Sequence, residues 1–279
     1  MWSHGGVGVF ESEPTQLQAI AVRVAEEAAD LVRQAREAML TGEPVQVDTK
    51  STETDVVTAV DRASERLIRR RLAELRPGDG VLGEEEGGPA GGDGVTWVVD
   101  PIDGTVNFLY GLPGFAVSVA AQVDGASVAG AVVEPASGRC WTAVRGQGAW
   151  LDGRRLHVSA PPRLDLTLVG TGFSYDPARR ARQAKVVAEL VPRVRDIRRA
   201  GAASLDLCAV AAGWLDAYAE HGLHRWDWAA GALIAAEAGA LVTLPGEDPE
   251  LGEDVTFAAA PSIAEPLRAL LIELGLPEA

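Results

Sequence analysis

The chain predicts a mixed α/β (α+β) fold with an antiparallel sheet in its N-terminal half and a mixed sheet in its C-terminal half, and three patterns carry that reading. Apolar residues recur with helical period in two stretches before residue 76. Tight-turn dipeptides punctuate alternating apolar runs from Phe115 to about Val158, the mark of successive hairpins. From Asp165 onward strand-like and helix-like segments alternate. No fixed-period repeat or low-complexity linker separates the halves, so residues 1–160 and 161–279 are expected to form one compact unit with a soft boundary.

Along the chain, residues 17–39 place Leu17, Ile20, Ala21, Val24, Ala28, Leu31, Val32, Ala35 and Met39 on one stripe of an amphipathic helix. A second helix is expected from Ala59 to Leu75, with Val60, Leu67, Ile68, Leu72 and Leu75 apolar and a start, Thr58-x-x-Asp61, resembling a capping box. Its Arg69–Arg71 run reads as a solvated face. The acidic "GEEEGG" and the glycine-rich "GGPAGGDG" precede a strand over Val95–Val99, the latter expected to be mobile. Turns at Asp124-Gly125, Ser137-Gly138 and Asp152-Gly153 then join the hairpins. In the second half, helices are expected near Pro177–Leu190, Ser204–Ala212 and Asp227–Ala238, with strands in "LTLVGTGF", "RDIRRAG", "LDAYAE", "ALVTL" and "VTFAAA" and a last helix at the end.

At 279 residues and 47% hydrophobic content the chain can bury a sizeable core. Forty acidic residues against 25 basic, a net charge of -15, argue against nucleic acid, whose binding rests on neutralising phosphates with Lys and Arg. They suit metal cations instead. Only Lys50 and Lys185 occur and there is no G-x-x-x-x-G-K-[ST] string, which argues against a lysine phosphate cradle. Two cysteines, Cys140 and Cys208, form neither a disulfide framework nor a C-x-x-C pair, and read as small buried apolar residues. No signal-like segment and no uncharged apolar run of about 18 residues occurs, so the expectation is a cytoplasmic protein without a membrane partner.

Five acids stand out by position: Glu84 and Glu85 after the apolar "VL" of "VLGEEEG", Asp100 and Asp103 in "WVVDPIDGT", and Asp227 in "HRWDWAAG". Two carboxylates about 4 Å apart repel by roughly 4 kcal/mol at an effective dielectric of about 20. Two acids could share a proton, but four or more call for divalent cations. An all-oxygen set selects hard ions, Mg²⁺ first, then Mn²⁺ or Ca²⁺. Taken singly each acid has a plain structural reading: Asp100 and Asp103-Gly104 as turn residues, Asp227 as an N-cap, "GEEEGG" as a solvated loop, Asp61 as a capping carboxylate. The conjunction of "GEEE", "WVVDPIDGT" and "WDWAAGALIAAEAGA" in that order is what favours a site.

These segments resemble the inositol monophosphatase family of metal-dependent, lithium-sensitive phosphatases. Its signatures look like W-x-x-D-P-[IL]-D-G-T-x-N-[FY] and W-D-x-A-A-G-x-[LI]-[IL]-x-x-E-A-G, and both match, within a resemblance running from about Lys50 through Ala238. The runs following Gly104 and Val194 are most similar to bacterial, particularly actinobacterial, members. The resemblance implies a layered αβαβα sandwich, a homodimer, and a small-molecule phosphate ester as substrate, myo-inositol 1-phosphate foremost. It implies Glu84, Asp100 and the carbonyl of Ile102 as ligands of one Mg²⁺, and Asp100, Asp103 and Asp227 as ligands of a second, with Glu84 open to a third. Two cations about 3.5–4 Å apart can clamp the attacking and leaving oxygens of an in-line displacement. Thr105 would orient the attacking water, with Asp61 bonded to the Thr105 hydroxyl, and Glu84 would draw off the proton of that water. Gly104 and Thr105 would open a short helix toward the phosphate. Gly201, Ala202, Ala203 and Glu220 would meet the polyol hydroxyls, and Asp103 and Asp227 would border the same pocket. Lys50 matches a family loop that usually reads K-S-S-P-x-D, but Glu53 stands where proline is common, and Lys50 is left out of the site. His221 and His224 add no transition-metal site to an already complete hard-ion set. Trp97, Trp214, Trp226 and Trp228 read as core or pocket walls.

Overall fold

The computed structural model describes residues 13–42, 46–49, 56–89 and 94–279. Lys50, Glu53 and the middle of the glycine-rich stretch lie outside these residues. The first half runs α1 (Glu13–Leu40), β1 (Val47–Thr49), β2 (Val56–Thr58), α2 (Ala59–Leu75), β3 (Gly80–Gly83), β4 (Val95–Asp103), α3 (Thr105–Tyr110), β5 (Ala116–Val123), β6 (Ala126–Val133), β7 (Cys140–Val144), β8 (Gly148–Leu151) and β9 (Arg154–Arg155). The second runs β10 (Leu168–Thr171), α4 (Pro177–Leu190), β11 (Asp196–Arg198), α5 (Ala203–Ala211), β12 (Ala217–His221), α6 (Arg225–Glu237), β13 (Leu241–Thr243), β14 (Val255–Ala259) and α7 (Ala264–Glu273).

Strands β3 to β9 form a seven-stranded sheet in sequence order, antiparallel except for the parallel pair β3–β4. That exception brings the C-terminal ends of β3 and β4 to the same side, with Glu84 following one and Asp100 in the other. The second sheet, ordered β11-β10-β12-β14-β13, is mixed: β10 is parallel to both neighbours, and β14 is antiparallel to β12 and β13.

The apolar runs of β4 and β5 make sense because both faces of the first sheet are covered. Trp97, Val99, Val117 and Val119 pack under Leu17, Val24, Ala28 and Ile68 of α1 and α2. Val98, Ala116, Ala120 and Val132 on the opposite face meet Cys208, Ala211, Ala230 and Ile234 of α5 and α6. The far sides of those two helices, Leu207, Val210 and Ala235, pack on Tyr218 and Ala258 of the second sheet. Its other face, Ala219, Phe257 and Ala259, lies under Val186, Leu267 and Leu271 of α4 and α7. The layers are therefore α1/α2, sheet, α5/α6, sheet, α4/α7. Helices buried on two sides cannot show a single apolar stripe, which is why α5 and α6 read as apolar throughout. They cross closely at Gly231, where an added Cβ would sit 2.9 Å from that of Leu207.

Three expectations change. Strand β4 runs on past Val99 to Asp103, because the ladder with β5 resumes after an irregularity: Asp100 pairs with Ser118 and Asp103 with Ala116. Arg69 is not a solvated charge; it bonds the carbonyls of Val81 and Gly87 and pairs with Glu65. Trp214, following the last turn of α5, is 48% exposed and stands edge-on to Trp141 under the Arg139 guanidinium.

Candidate active site

The bulge in β4 is the local event from which the site is built. Pro101 offers no N–H to the ladder, so pairing lapses over Pro101 and Ile102, and these two residues of β4 stand against the single Val117 of β5. Asp100 Oδ1 accepts the Ile102 N–H at 3.0 Å, and Ser64 of α2 donates to the Pro101 carbonyl at 3.1 Å. Asp100 and Asp103 are thus held by a bulge inside a strand rather than by an open turn. Gly104 then takes a left-handed conformation (φ 91°) that starts α3, and an added Cβ there would lie 2.9 Å from the Gly114 carbonyl. Asn107 donates to the carbonyls of Gly114 and Ala200, at 2.6 and 2.8 Å, and so ties α3 to the turn that leads into α5.

Asp103 reaches that turn directly. Its carboxylate accepts from Ala203 N at 3.2 Å, Ser204 N at 2.7 Å and the Ser204 hydroxyl at 2.5 Å. The N-cap residue of α5, Ala202, has no side chain able to cap, so a strand one hundred positions earlier supplies the cap. Asp227 also departs from its expected place: His224 is the N-cap of α6, and Asp227, at the third helical position, accepts the His224 N–H at 2.5 Å. Both carboxylates therefore stand at helix starts.

Asp100, Asp103 and Asp227 bring ligand oxygens within 4.8 Å of one another, the one such group among the described residues. Asp100 and Asp103 are 1% and 7% exposed. Burial, then Glu84, Asp103 and Asp227, drive the Asp100 carboxyl well above its ordinary range, and Glu84 hydrogen-bonds to it. Burial pushes Asp103 up to about 7 against the opposing Ser204 hydrogen bonds. Burial, then Asp103 and Glu84, raise Asp227 well above its ordinary value. No Arg or Lys pairs with the three among the described residues; the His224 ring nitrogen Nδ1 lies 3.8 Å from Asp227. Carboxylates kept this close and dry without a basic partner fit divalent cations, and the all-oxygen donor set fits a hard one.

A cavity of about 550 Å³ opens over this group and is lined by every expected site residue except Asp61: Glu84, Asp100, Ile102, Asp103, Gly104, Thr105, Gly201, Ala202, Ala203, Glu220 and Asp227. Asp61 is fully buried behind it and completes the capping box of α2, accepting the Thr58 N–H at 2.9 Å. Its other oxygen, Oδ1, accepts the Thr105 hydroxyl at 2.9 Å, so capping and site contact coexist in one carboxylate. Burial raises the Asp61 pKa, with the Thr58 and Thr105 hydrogen bonds acting against it.

At the far end of the cavity Glu220 accepts the Tyr218 hydroxyl. Burial raises its pKa, opposed by Tyr218 and by Arg199. Gly172 leaves the space Glu220 occupies: an added Cβ would fall 1.8–2.0 Å from the carboxylate atoms. Asp206, in the first turn of α5, is buried, and burial followed by Glu220 and Asp103 pushes it up to about 8. Trp226 forms part of the wall and stacks on His224, while Trp97 is core. His221 is held by Asp254 at 2.6 Å, away from the acidic group. Sequence reasoning missed Asn107, Gly172, Ser204, Asp206 and Tyr218. Asn107 lies within the first matched signature, and Ser204, Asp206 and Tyr218 lie within "RRAGAASLDL" and "YAEHGLHRWD", the stretches that the family resemblance assigns to the polyol pocket, though none was singled out.

The sequence profile of the inositol monophosphatase family matches residues 13–274. The chain belongs to this family. Among relatives of the inositol monophosphatase family, the inositol-1-monophosphatase of Mycobacterium leprae is 54% identical over 94% of this chain and 96% of its own. A Pseudomonas aeruginosa relative named Nus factor SuhB is 43% identical over 80% of this chain and 83% of its own. The solved structure of Mycobacterium tuberculosis SuhB superposes with a TM-score of 0.81 at 47% identity, covering 95% of this chain and 99% of that one. The layer order found here is that of an inositol monophosphatase fold.

Proposed function

We propose that the chain is a Mg²⁺-dependent phosphomonoesterase that hydrolyses myo-inositol 1-phosphate and related polyol phosphates. The observation that carries this reading is the group of three buried aspartates with no Arg or Lys partner among the described residues, facing a cavity that also holds the Thr105–Asp61 hydrogen bond. Glu84, Asp100, Asp103, Asp227 and the Ile102 carbonyl would hold two or three Mg²⁺, with Mn²⁺ a substitute. Bound there, the metal supplies Lewis acidity and cancels a carboxylate field that otherwise repels a phosphate dianion.

The chain's own groups account for the rest. Asp61 accepts the hydrogen bond of the Thr105 hydroxyl, which leaves the lone pairs of Thr105 Oγ1 to accept from a water and aim it at phosphorus, and Glu84 is the base for that water's proton. The N–H groups of Gly104 and Thr105, which have no partner within α3, meet the phosphoryl oxygens. Water oxygen bonds to phosphorus, the ester P–O bond breaks, and the departing alkoxide takes up the proton that Glu84 drew from the water, releasing phosphate and the polyol and restoring the carboxylate. Glu220 and the backbone at Gly201, Ala202 and Ala203 receive the hydroxyls. Homodimer formation, a cytoplasmic setting and lithium sensitivity belong to the same reading; no helix of the described residues is long and apolar enough to cross a membrane.

A substrate panel run with and without Mg²⁺ tests the proposal. Inositol 1-phosphate should show the highest kcat/KM, above fructose-1,6-bisphosphate, histidinol phosphate and 3'-phosphoadenosine 5'-phosphate, and only with metal. A different leading substrate would reassign specificity within the same chemistry. Silence toward every ester with Mg²⁺ bound would favour an interaction role instead, to which the name Nus factor of the Pseudomonas relative points.

Gly172→Ala isolates the polyol end. Because the new methyl collides with the Glu220 carboxylate, KM for inositol 1-phosphate should rise by about 10-fold, the loss of one charged hydrogen bond, with kcat less affected. An unchanged KM would remove Glu220 from the pocket.

A further inference from the structure

Glu84 sits in a turn that another pair of residues holds rigid. The turn closes on itself through reciprocal Gly83 and Gly87 hydrogen bonds of 3.0 and 3.1 Å. Beneath it lies Glu65 of α2, a fully buried carboxylate. Glu65 Oε2 accepts the Glu85 N–H at 2.7 Å and Oε1 accepts the Glu86 N–H at 3.0 Å, so both amides following Glu84 end on one side chain. Arg69, one helical turn on, pairs with Glu65 at 2.7 Å, bonds the carbonyls of Val81 and Gly87, and lies 3.5 Å from Glu86. Gly83 is what admits Glu65: an added Cβ would sit 2.2 Å from Glu65 Oε1.

A buried ion pair contributes little net stability relative to apolar side chains of similar volume. This one spends its hydrogen bonds on the backbone of a single turn, across the entry and exit of the segment that carries Glu84. The same helix face also supplies Asp61 to Thr105 and Ser64 to the Pro101 carbonyl, so spacings of three and four residues on one rigid element reach three parts of the site.

We propose that Glu65 and Arg69 are positioning residues that preorganise Glu84 for metal binding. The proposal rests on the reading of Glu84 as a metal ligand given above. Loss of the pair leaves the ligand in place but frees its turn, so the metal must order the turn as it binds. Removing an outer partner of a metal ligand weakens metal affinity by about 10- to 100-fold.

The test is calorimetric titration of the metal-free, full-length protein with Mg²⁺, together with hydrogen exchange at the Glu85 and Glu86 amides. Glu65→Gln, Arg69→Met and Gly83→Ala should each weaken Mg²⁺ binding by about 10-fold or more while those two amides exchange faster. Turnover should return as Mg²⁺ is raised to saturation, whereas Glu84→Gln, which deletes the ligand, should not recover. Should Glu65→Gln fail to fold, Arg69→Met on the half-buried rim decides. Wild-type affinity in these variants overturns the proposal, and so does weakened binding without faster exchange, which would assign the effect to charge rather than to order. Glu84→Gln with undiminished Mg²⁺ binding would instead remove the ligand assignment beneath it.

Discussion

Asp100→Asn should lower kcat/KM by at least about 10³-fold, ~4 kcal/mol of transition-state stabilisation. Asp100 is the most enclosed member of the aspartate group and stands among Glu84, Asp103 and Asp227. An amide removes a negative charge that would help hold the metal while keeping the side chain's shape. Asn Oδ1 can still accept the Ile102 N–H, so the bulge should survive and the protein should fold. Removing one of four mutually repelling carboxylates should leave the metal-free variant at least as heat-stable as the parent. Steady-state phosphate release and the melting temperature without metal are the two measurements. An unchanged rate would remove the metal assignment; a lost rate with a collapsed fold would say only that Asp100 is structural.

Metal removal should abolish turnover and also expose an unusual pH dependence of stability. Asp103 is raised from 3.8 to about 7 in the folded chain, and Asp100 and Asp227 are raised well above 3.8, so the folded state binds protons that the unfolded state has released. Wherever the folded state binds more protons, stability falls as pH rises. The contribution is complete below about pH 4 and is lost as pH climbs through about 7, with the buried Asp206, at about 8, extending the loss. Chelated protein should therefore melt at progressively lower temperature between about pH 5 and about pH 8. Mg²⁺ should raise the melting temperature most at the alkaline end and release protons as it binds. A metal-free melting temperature that is flat or rises over that interval would contradict the picture of unpaired, desolvated carboxylates.

Asp103 shows why the site was only partly legible from the sequence. Its membership of an acidic cluster follows from a short motif, since Asp-Pro-x-Asp-Gly is a local chemical pattern. That it also caps α5 does not follow, because the partner lies one hundred positions away and the only local sign is a helix start, Ala202, with no capping side chain. Asp227 is similar: a helix beginning was visible at "HRWDWAAG", but whether the aspartate stood at the N-cap or at the third helical position depended on His224 taking the cap. The short pair β1 and β2 left no signal, since three-residue strands carry too few residues to show a period. Arg69 looked like one of three solvated arginines until the turn after β3 folded onto it.

The sequence by itself determined the periods and the punctuation: amphipathic α1 and α2, the hairpins from β5 onward, the apolar runs of strands covered on both faces, and the short motifs that carry the acids. These depend on neighbours a few residues apart, where backbone geometry alone decides which side chains share a face. Only the tertiary structure decided that β3 runs parallel to β4, that α5 and α6 lie between two sheets, and that Glu220, Gly172 and Tyr218 meet at one end of the cavity while three aspartates meet at the other. Those relations join segments 16 to more than 100 positions apart, and they are set by which apolar faces find one another, which no local pattern encodes.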